Sequence, residues 1–230
     1  MLRFLTVLPL LAAPPAAAHD LWLEKEGGTL TLLQGHKHSS HTGVETLPYE
    51  PGFVQSALCV DAAGTAKPLP PARTAPLKMA AECGTLLVAV SSGYWTKTPW
   101  ETKNAPKTGI TGALKSWLSE ESIKRIDKWT PASVQPVGDR LEIVPLANPL
   151  LLKPDDKLTV RVTENGKPKA GVSVAYGGDV RGATGEDGTI AIRIRHGGMQ
   201  LITTSVEMPL ADGKADLRIQ AATLQFDLPK

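Results

Sequence analysis

In the second half of this chain apolar side chains recur at every other residue, a spacing that rules out helix there. Leu158/Val160/Val162, Val172/Val174/Tyr176, Ile190/Ile192/Ile194 and Leu217/Ile219/Ala221 each place an apolar row on one side of an extended segment. Residues two apart share a face in a strand, whereas in a helix they point to different sides. Between these segments stand Asn165-Gly166, Gly177-Gly178, Asp187-Gly188 and Gly197-Gly198, pairs that tolerate the positive φ of hairpin turns. Short strands with such turns predict an immunoglobulin-like or prealbumin-like β-sandwich over residues 137–230.

The first half also reads as β. Residues 29–33, 54–60 and 85–90 are short apolar runs between Gly and Pro clusters, and Pro68, Pro70, Pro71 and Pro76 mark an extended loop. One stretch differs: Trp95, Trp100, Trp117 and Trp129, four of the five tryptophans, gather between Gly93 and Pro136. There, residues 113–118 and 120–129 read as two short helical pieces, with Ser119 as an N-cap ahead of Glu120 and Glu121. The expectation is a mainly β chain: an N-terminal β domain at residues 19–136 with a short helical insertion, then the sandwich domain. The tryptophans are expected to pack in the core, since a substrate platform needs several of them exposed in one row.

Residues 1–18 have the three parts of a secretory signal: Arg3, an apolar run over residues 4–13, and the small-residue end Ala16-Ala17-Ala18. Cleavage after Ala18 makes His19 the first residue of a mature chain expected to be periplasmic. No later segment approaches the ~20 apolar residues of a membrane-spanning helix. The formal charge of +2 becomes +1 without Arg3, which offers no basic face for nucleic acid or anionic membrane. Cys59 and Cys83 are the only cysteines. In an oxidising compartment they are expected to form a disulfide; the alternative, thiolate metal ligands, lacks a CxxC spacing.

Four of the five histidines, His19, His36, His38 and His41, lie near the front. A free amine on His19 and its own imidazole can chelate one ion together. His36 and His38, two apart, project to one side of an extended chain, and a turn through Ser39-Ser40 returns His41 beside them. Imidazole suits nickel, copper, zinc and cobalt, whereas calcium and magnesium prefer oxygen shells. A nearly saturated shell favours carriage over catalysis, which needs an open position. Asp20 and Glu24 are either further ligands, partners that orient an imidazole, or plain surface charges. His196 is expected to be unconnected to this cluster. No G-x-S-x-G, P-loop or dinucleotide fingerprint occurs, so no enzymatic activity is expected.

The start His19-Asp20-Leu21-Trp22-Leu23, then Gly35-His36, the block Leu141-Glu142-Ile143-Val144-Pro145-Leu146 and the run Lys153-Pro154-Asp155-Asp156-Lys157-Leu158-Thr159-Val160 resemble the NikM-like family of exported nickel- and cobalt-uptake accessory proteins. Much of that family is described only as a domain of unknown function. The resemblance runs over nearly the whole mature chain. It implies a periplasmic protein that works beside an outer-membrane receptor or an inner-membrane transporter, with His19 and His36 at the family's positions. His38 and His41 rest on ligand chemistry alone. Asn165-Gly166-Lys167-Pro168 and Thr184-Gly185-Glu186-Asp187-Gly188 also resemble generic carboxypeptidase-regulatory or prealbumin-like modules.

The leading expectation is a carrier of a divalent transition metal, Ni²⁺ first, with Co²⁺, Cu²⁺ and Zn²⁺ as the other candidates. An N-terminal histidine with one further histidine also describes the copper brace of oxidative monooxygenases. A third reading is a structural envelope protein in which the histidines are incidental.

Overall fold

The computed structural model describes residues 19–37, 45–61, 63–70, 73–80 and 82–230. The expected signal segment, and with it His38 and His41, lies outside them. The first strands are β1 (Asp20–Glu26), β2 (Thr29–His36), β3 (Glu45–Leu47), β4 (Val54–Val60), β5 (Ala66–Pro68), β6 (Lys78–Ala80), β7 (Thr85–Lys97), β8 (Thr102–Lys103) and β9 (Lys115–Ile126). They are followed by β10 (Glu142–Pro145), β11 (Lys157–Glu164), β12 (Lys167–Pro168), β13 (Ser173–Tyr176), β14 (Asp179–Ala183), β15 (Thr189–Arg193), β16 (Gly198–Pro209) and β17 (Leu217–Leu228). The helical pieces among the described residues are short 3-10 turns at Pro51–Phe53, Pro131–Val134 and Pro149–Leu151. None is long or apolar enough to cross a membrane.

The expected helical insertion is therefore corrected. The residues read as two helices, 113–118 and 120–129, contribute instead to one continuous strand, β9, and Ser119 pairs with Gly93 where a cap was expected. Several charges of this segment are paired inside the fold. Lys124 meets Glu142 at 2.8 Å with both side chains buried, and Arg125 bonds both Asp127 and Asp227. Glu120 faces Arg140 and Arg218. With Lys124, Arg125 and Glu120 paired, β9 can run through the middle of a sheet, where these charges unpaired would be prohibitive.

That sheet is the spine of the molecule. Its order is β14-β13-β16-β17-β9-β7-β4-β5, with β8 on the end of β7. All neighbours are antiparallel except β17 and β9, which run parallel from Leu217 opposite Trp117 to Phe226 opposite Ile126. Successive residues of a strand face opposite sides, and β9 uses both. Ile123 joins a core with Leu21, Leu23, Leu30, Leu32, Leu86, Val88 and Val90. Ile126 joins the other core with Ile143, Val160, Val162, Ile192, Leu224 and Phe226. The sheet of β1, β2, β3 and β6 thus covers one face of the spine, and the sheet of β10, β11, β12 and β15 covers the other. The result is three β layers with two cores.

The first layer is fastened by a buried side-chain amide. Gln225 accepts the Leu23 amide proton at 2.8 Å and donates to the Leu23 carbonyl at 2.7 Å. This satisfies the side of β1 that no strand pairs. Cys59 and Cys83 form the expected disulfide and border the same core. The turns expected in the second half occur where the glycines stand, with positive φ at Asn165, Gly166, Gly177, Gly178, Gly188 and Gly198.

Candidate metal centre

β1 and β2 form a hairpin around Gly27-Gly28, both with positive φ, and its register sets the site. Asp20 stands opposite Gly35 and Leu21 opposite Gln34, so His19 comes alongside His36 at the open end of the ladder. Their rings are 5.0 Å apart between centroids and inclined at 71°. On the far side of β2, His36 is paired directly with Glu45 of β3. His19, His36 and Glu45 thus come from three adjacent strands in one row.

Gly35 makes this row possible. Its φ is +153°, and a Cβ there would meet the Glu45 carbonyl oxygen at 1.9 Å, so any side chain would drive β3 off β2. Along β2, Leu30, Leu32 and Gln34 are buried, and alternation puts His36 on their side of the strand. The imidazoles therefore close the open end of the first core. His19 is exposed and His36 is half-buried, which leaves a path for an ion from solvent.

The local fields favour ligands over cations. Partial desolvation of the ring, then the neighbouring His36, lowers the His19 pKa below its ordinary value, against opposing pulls from Asp20 and Glu45. Neutral imidazole is the form that coordinates a metal. Below the row lies Glu121 of β9, two residues from the core residue Ile123 and on the same face. Its carboxyl is pushed up to about 7, first by burial and then by the charge of Asp20. Asp20 accepts the Lys37 amide proton at 2.8 Å, tying the start of β1 to the end of β2.

Glu24 has a different position from the one a ligand needs. It accepts from the Trp22 indole at 3.0 Å and from the Lys37 ammonium at 3.1 Å, which holds its pKa below the usual carboxylate value with the indole bond as first cause. Lys37 also lies over the Trp22 ring, 5.1 Å from its centroid. Trp22 is completely buried, as expected of a core tryptophan. Trp95 and Trp117 stack at 6.4 Å, whereas Trp100 is 81% exposed and departs from the core expectation.

Of the four histidines singled out by sequence, the structure brings together His19 and His36. His196 lies elsewhere, stacked on Tyr176 in the second half of the chain. Among the described residues no three His, Cys, Asp or Glu side chains converge closely enough to hold an ion by themselves. The separation of the two rings is of the size that two imidazoles on one ion would have. With metal–nitrogen bonds of about 2.0–2.1 Å, rings at tetrahedral to right-angle positions have centroids roughly 4.5–5 Å apart. Glu45 and Glu121 escape sequence reading: Glu45 is recruited by the register of β3 on β2, and Glu121 sits in the segment that reads as helix.

The family model described as Domain of unknown function (DUF4198) matches residues 16–208. The chain belongs to that family. No curated protein and no solved structure matches it.

Proposed function

We propose that this member of the DUF4198 family is an exported, periplasmic carrier that binds one divalent transition metal ion through His19 and His36 and serves metal uptake. The observation that carries this reading is the placement of two imidazoles side by side at 5.0 Å by the register of the β1–β2 hairpin. The lowered pKa of His19 supports it, because less proton competition leaves the ring nitrogen available. Nickel is the first candidate and cobalt the second, by the resemblance of the HDxW start and the LEIVPL block to NikM-like proteins. The amine of His19, freed by signal removal, and the imidazoles of His38 and His41 complete the shell. An outer-membrane receptor or an inner-membrane transporter receives the ion.

The test is intact-mass measurement of the exported protein under native conditions, after dialysis against equal concentrations of Ni²⁺, Co²⁺, Cu²⁺ and Zn²⁺. The expected result is a chain beginning at His19 with one bound ion. Copper is expected to compete best in vitro by the Irving–Williams order, so nickel preference is read with copper absent. His19→Ala and His36→Ala are each expected to weaken nickel binding by about tenfold or more, as loss of one ligand does. Unchanged affinity in both variants overturns the assignment. Copper-dependent consumption of oxygen would transfer the site to the copper-brace reading.

A further inference from the structure

On the face of the spine opposite the histidines, the outer side of β10 and β11 holds a cleft of about 360 Å³. Val144 and Arg161 are cross-strand partners on its floor, and Thr163 continues the Arg161 row two residues on. One wall is the segment ending in Gln135 and Pro136, held down where the buried Lys124 ammonium donates to the Gln135 carbonyl at 2.9 Å. The other is the Asn165-Gly166 turn with Pro168, which pairs with Thr163. The walls touch at one end, where a Cβ on Gly166 would lie 3.9 Å from Pro136. The LEIVPL block and the NGKP turn, both singled out in the sequence, thus build one feature that contributes none of the proposed metal ligands.

The floor has unmet polar groups. Thr163 is 2% exposed, and its hydroxyl has no hydrogen-bond partner; the Nε of Arg161 is likewise buried and unpartnered. Buried polar atoms in folded proteins are nearly always paired, and leaving them unpaired costs stability. Among the described residues, no carboxylate comes within ion-pair distance of the Arg161 guanidinium. Asp187 is engaged by Thr189, whose bonds are the first cause of its lowered pKa, with the field of Arg161 the last. The nearby Lys124–Glu142 pair is neutral as a unit. The floor therefore presents one uncompensated positive charge and a hydroxyl donor, between walls of proline and aliphatic side chains.

We infer that this cleft is a binding site for an organic carboxylate with a compact apolar body, its carboxyl taken by Arg161 and Thr163 and its body by Val144, Leu146, Pro136 and Pro168. A planar carboxylate matches the guanidinium edge, with two charge-assisted bonds, and accepts from the threonine as well. A phosphate, with more charge and no apolar part, would find a single cation and dry walls. The volume suits a small ligand. Such chemistry comes either from a free small acid or from the carboxyl end of a peptide. Neither source requires a metal at His19 and His36.

The experiment is an NMR titration of the isotope-labelled protein, following the backbone amides of Thr163, Gly166 and Val134. The probes are hexanoate, phenylacetate and a pentapeptide ending in valine, each beside its neutral amide. The expected result is saturable shifts at these amides with a carboxylate probe and at least about tenfold weaker binding of its amide, as loss of a charge-assisted bond predicts. Saturation by hexanoate or phenylacetate identifies a small-acid site, and saturation by the peptide alone identifies a chain-end site. Arg161→Gln is expected to lower the affinity by a similar factor while leaving the amide spectrum of the first layer unchanged. Absence of shifts with all three carboxylates overturns the inference, as does equal binding of acid and amide. The comparison of acid with amide uses the unaltered protein and remains decisive even if the variant does not fold.

Discussion

The α-carbon of Gly35 lies so close to Glu45 that a single methyl group would reach within 1.9 Å of the Glu45 carbonyl oxygen. The neighbouring pair His36–Glu45 therefore exists because residue 35 has no side chain. Gly35→Ala is expected to peel β3 from β2, to cost about 1–3 kcal/mol of stability and to weaken nickel binding without removing any proposed ligand. Thermal unfolding and calorimetric titration measure the two effects. A variant of unchanged stability and affinity would contradict the packing described.

Placing the amine is a separate matter from placing the imidazole. One alanine inserted ahead of His19 keeps every histidine and moves only the chain's first nitrogen. If that amine is a ligand, nickel affinity drops by about tenfold or more. Equal affinity in the extended protein would leave the imidazoles as the only nitrogen donors.

Glu121 makes a signed prediction about pH. Its carboxyl titrates at about 7 in the fold against an ordinary 4.5, so between these values the folded state holds a proton that the unfolded chain has lost. Stability then falls as pH rises through this window and levels off above it. Glu121→Gln removes the slope. The variant should match the parent below about pH 4.5 and exceed it by on the order of 3 kcal/mol at pH 8, as read by denaturant unfolding at the two pH values. A constant difference across the range would mean that the carboxyl is ionised in the fold.

Lys124 and Glu142 are both buried and 2.8 Å apart, and Glu142 also accepts the amide protons of Val137 and Gly138. Lys124→Met leaves that carboxylate without its cation and is expected to cost about 3–5 kcal/mol. The loss should appear in denaturant unfolding as a lower midpoint with unchanged slope.

The disulfide closes a separation of 24 residues between Cys59 and Cys83. Its removal by paired serine substitution is expected to cost about 3 kcal/mol, chiefly by freeing the unfolded chain. Thermal unfolding of the paired variant checks this.

What sequence revealed depends on whether a residue's role is set by its neighbours in the chain. Ile190, Ile192 and the Asp187-Gly188 turn declare a strand and its end from local chemistry alone, and the structure follows them. Lys124 and Arg125 do not, because their acidic partners include Glu142 and Asp227 on other strands. Without those partners in view, the segment reads as helical pieces behind a Ser119 cap. The candidate site divides in the same way. His19 and His36 were legible as ligand types, and a hairpin register brings them together. Glu45 and Glu121 take their places through pairing and layering, which no local spacing encodes.

The parallel pairing of β17 with β9 has a consequence for how this chain reaches its final form. β9 lies near the middle of the chain, yet one of its two edges is occupied by a strand that follows nearly everything else, and the same strand carries Gln225 back to Leu23 across 202 residues. Until β17 arrives, β9 exposes a long unpaired edge and β1 has lost its clasp, so the first layer cannot seat the hairpin that aligns His19 with His36. Closure is then a late and highly non-local event, slow by its contact order and open to wrong pairings beforehand. The pair of histidines near one end of the chain thus waits on a strand near the other, which makes a seated His19–His36 pair a report that the whole chain has folded.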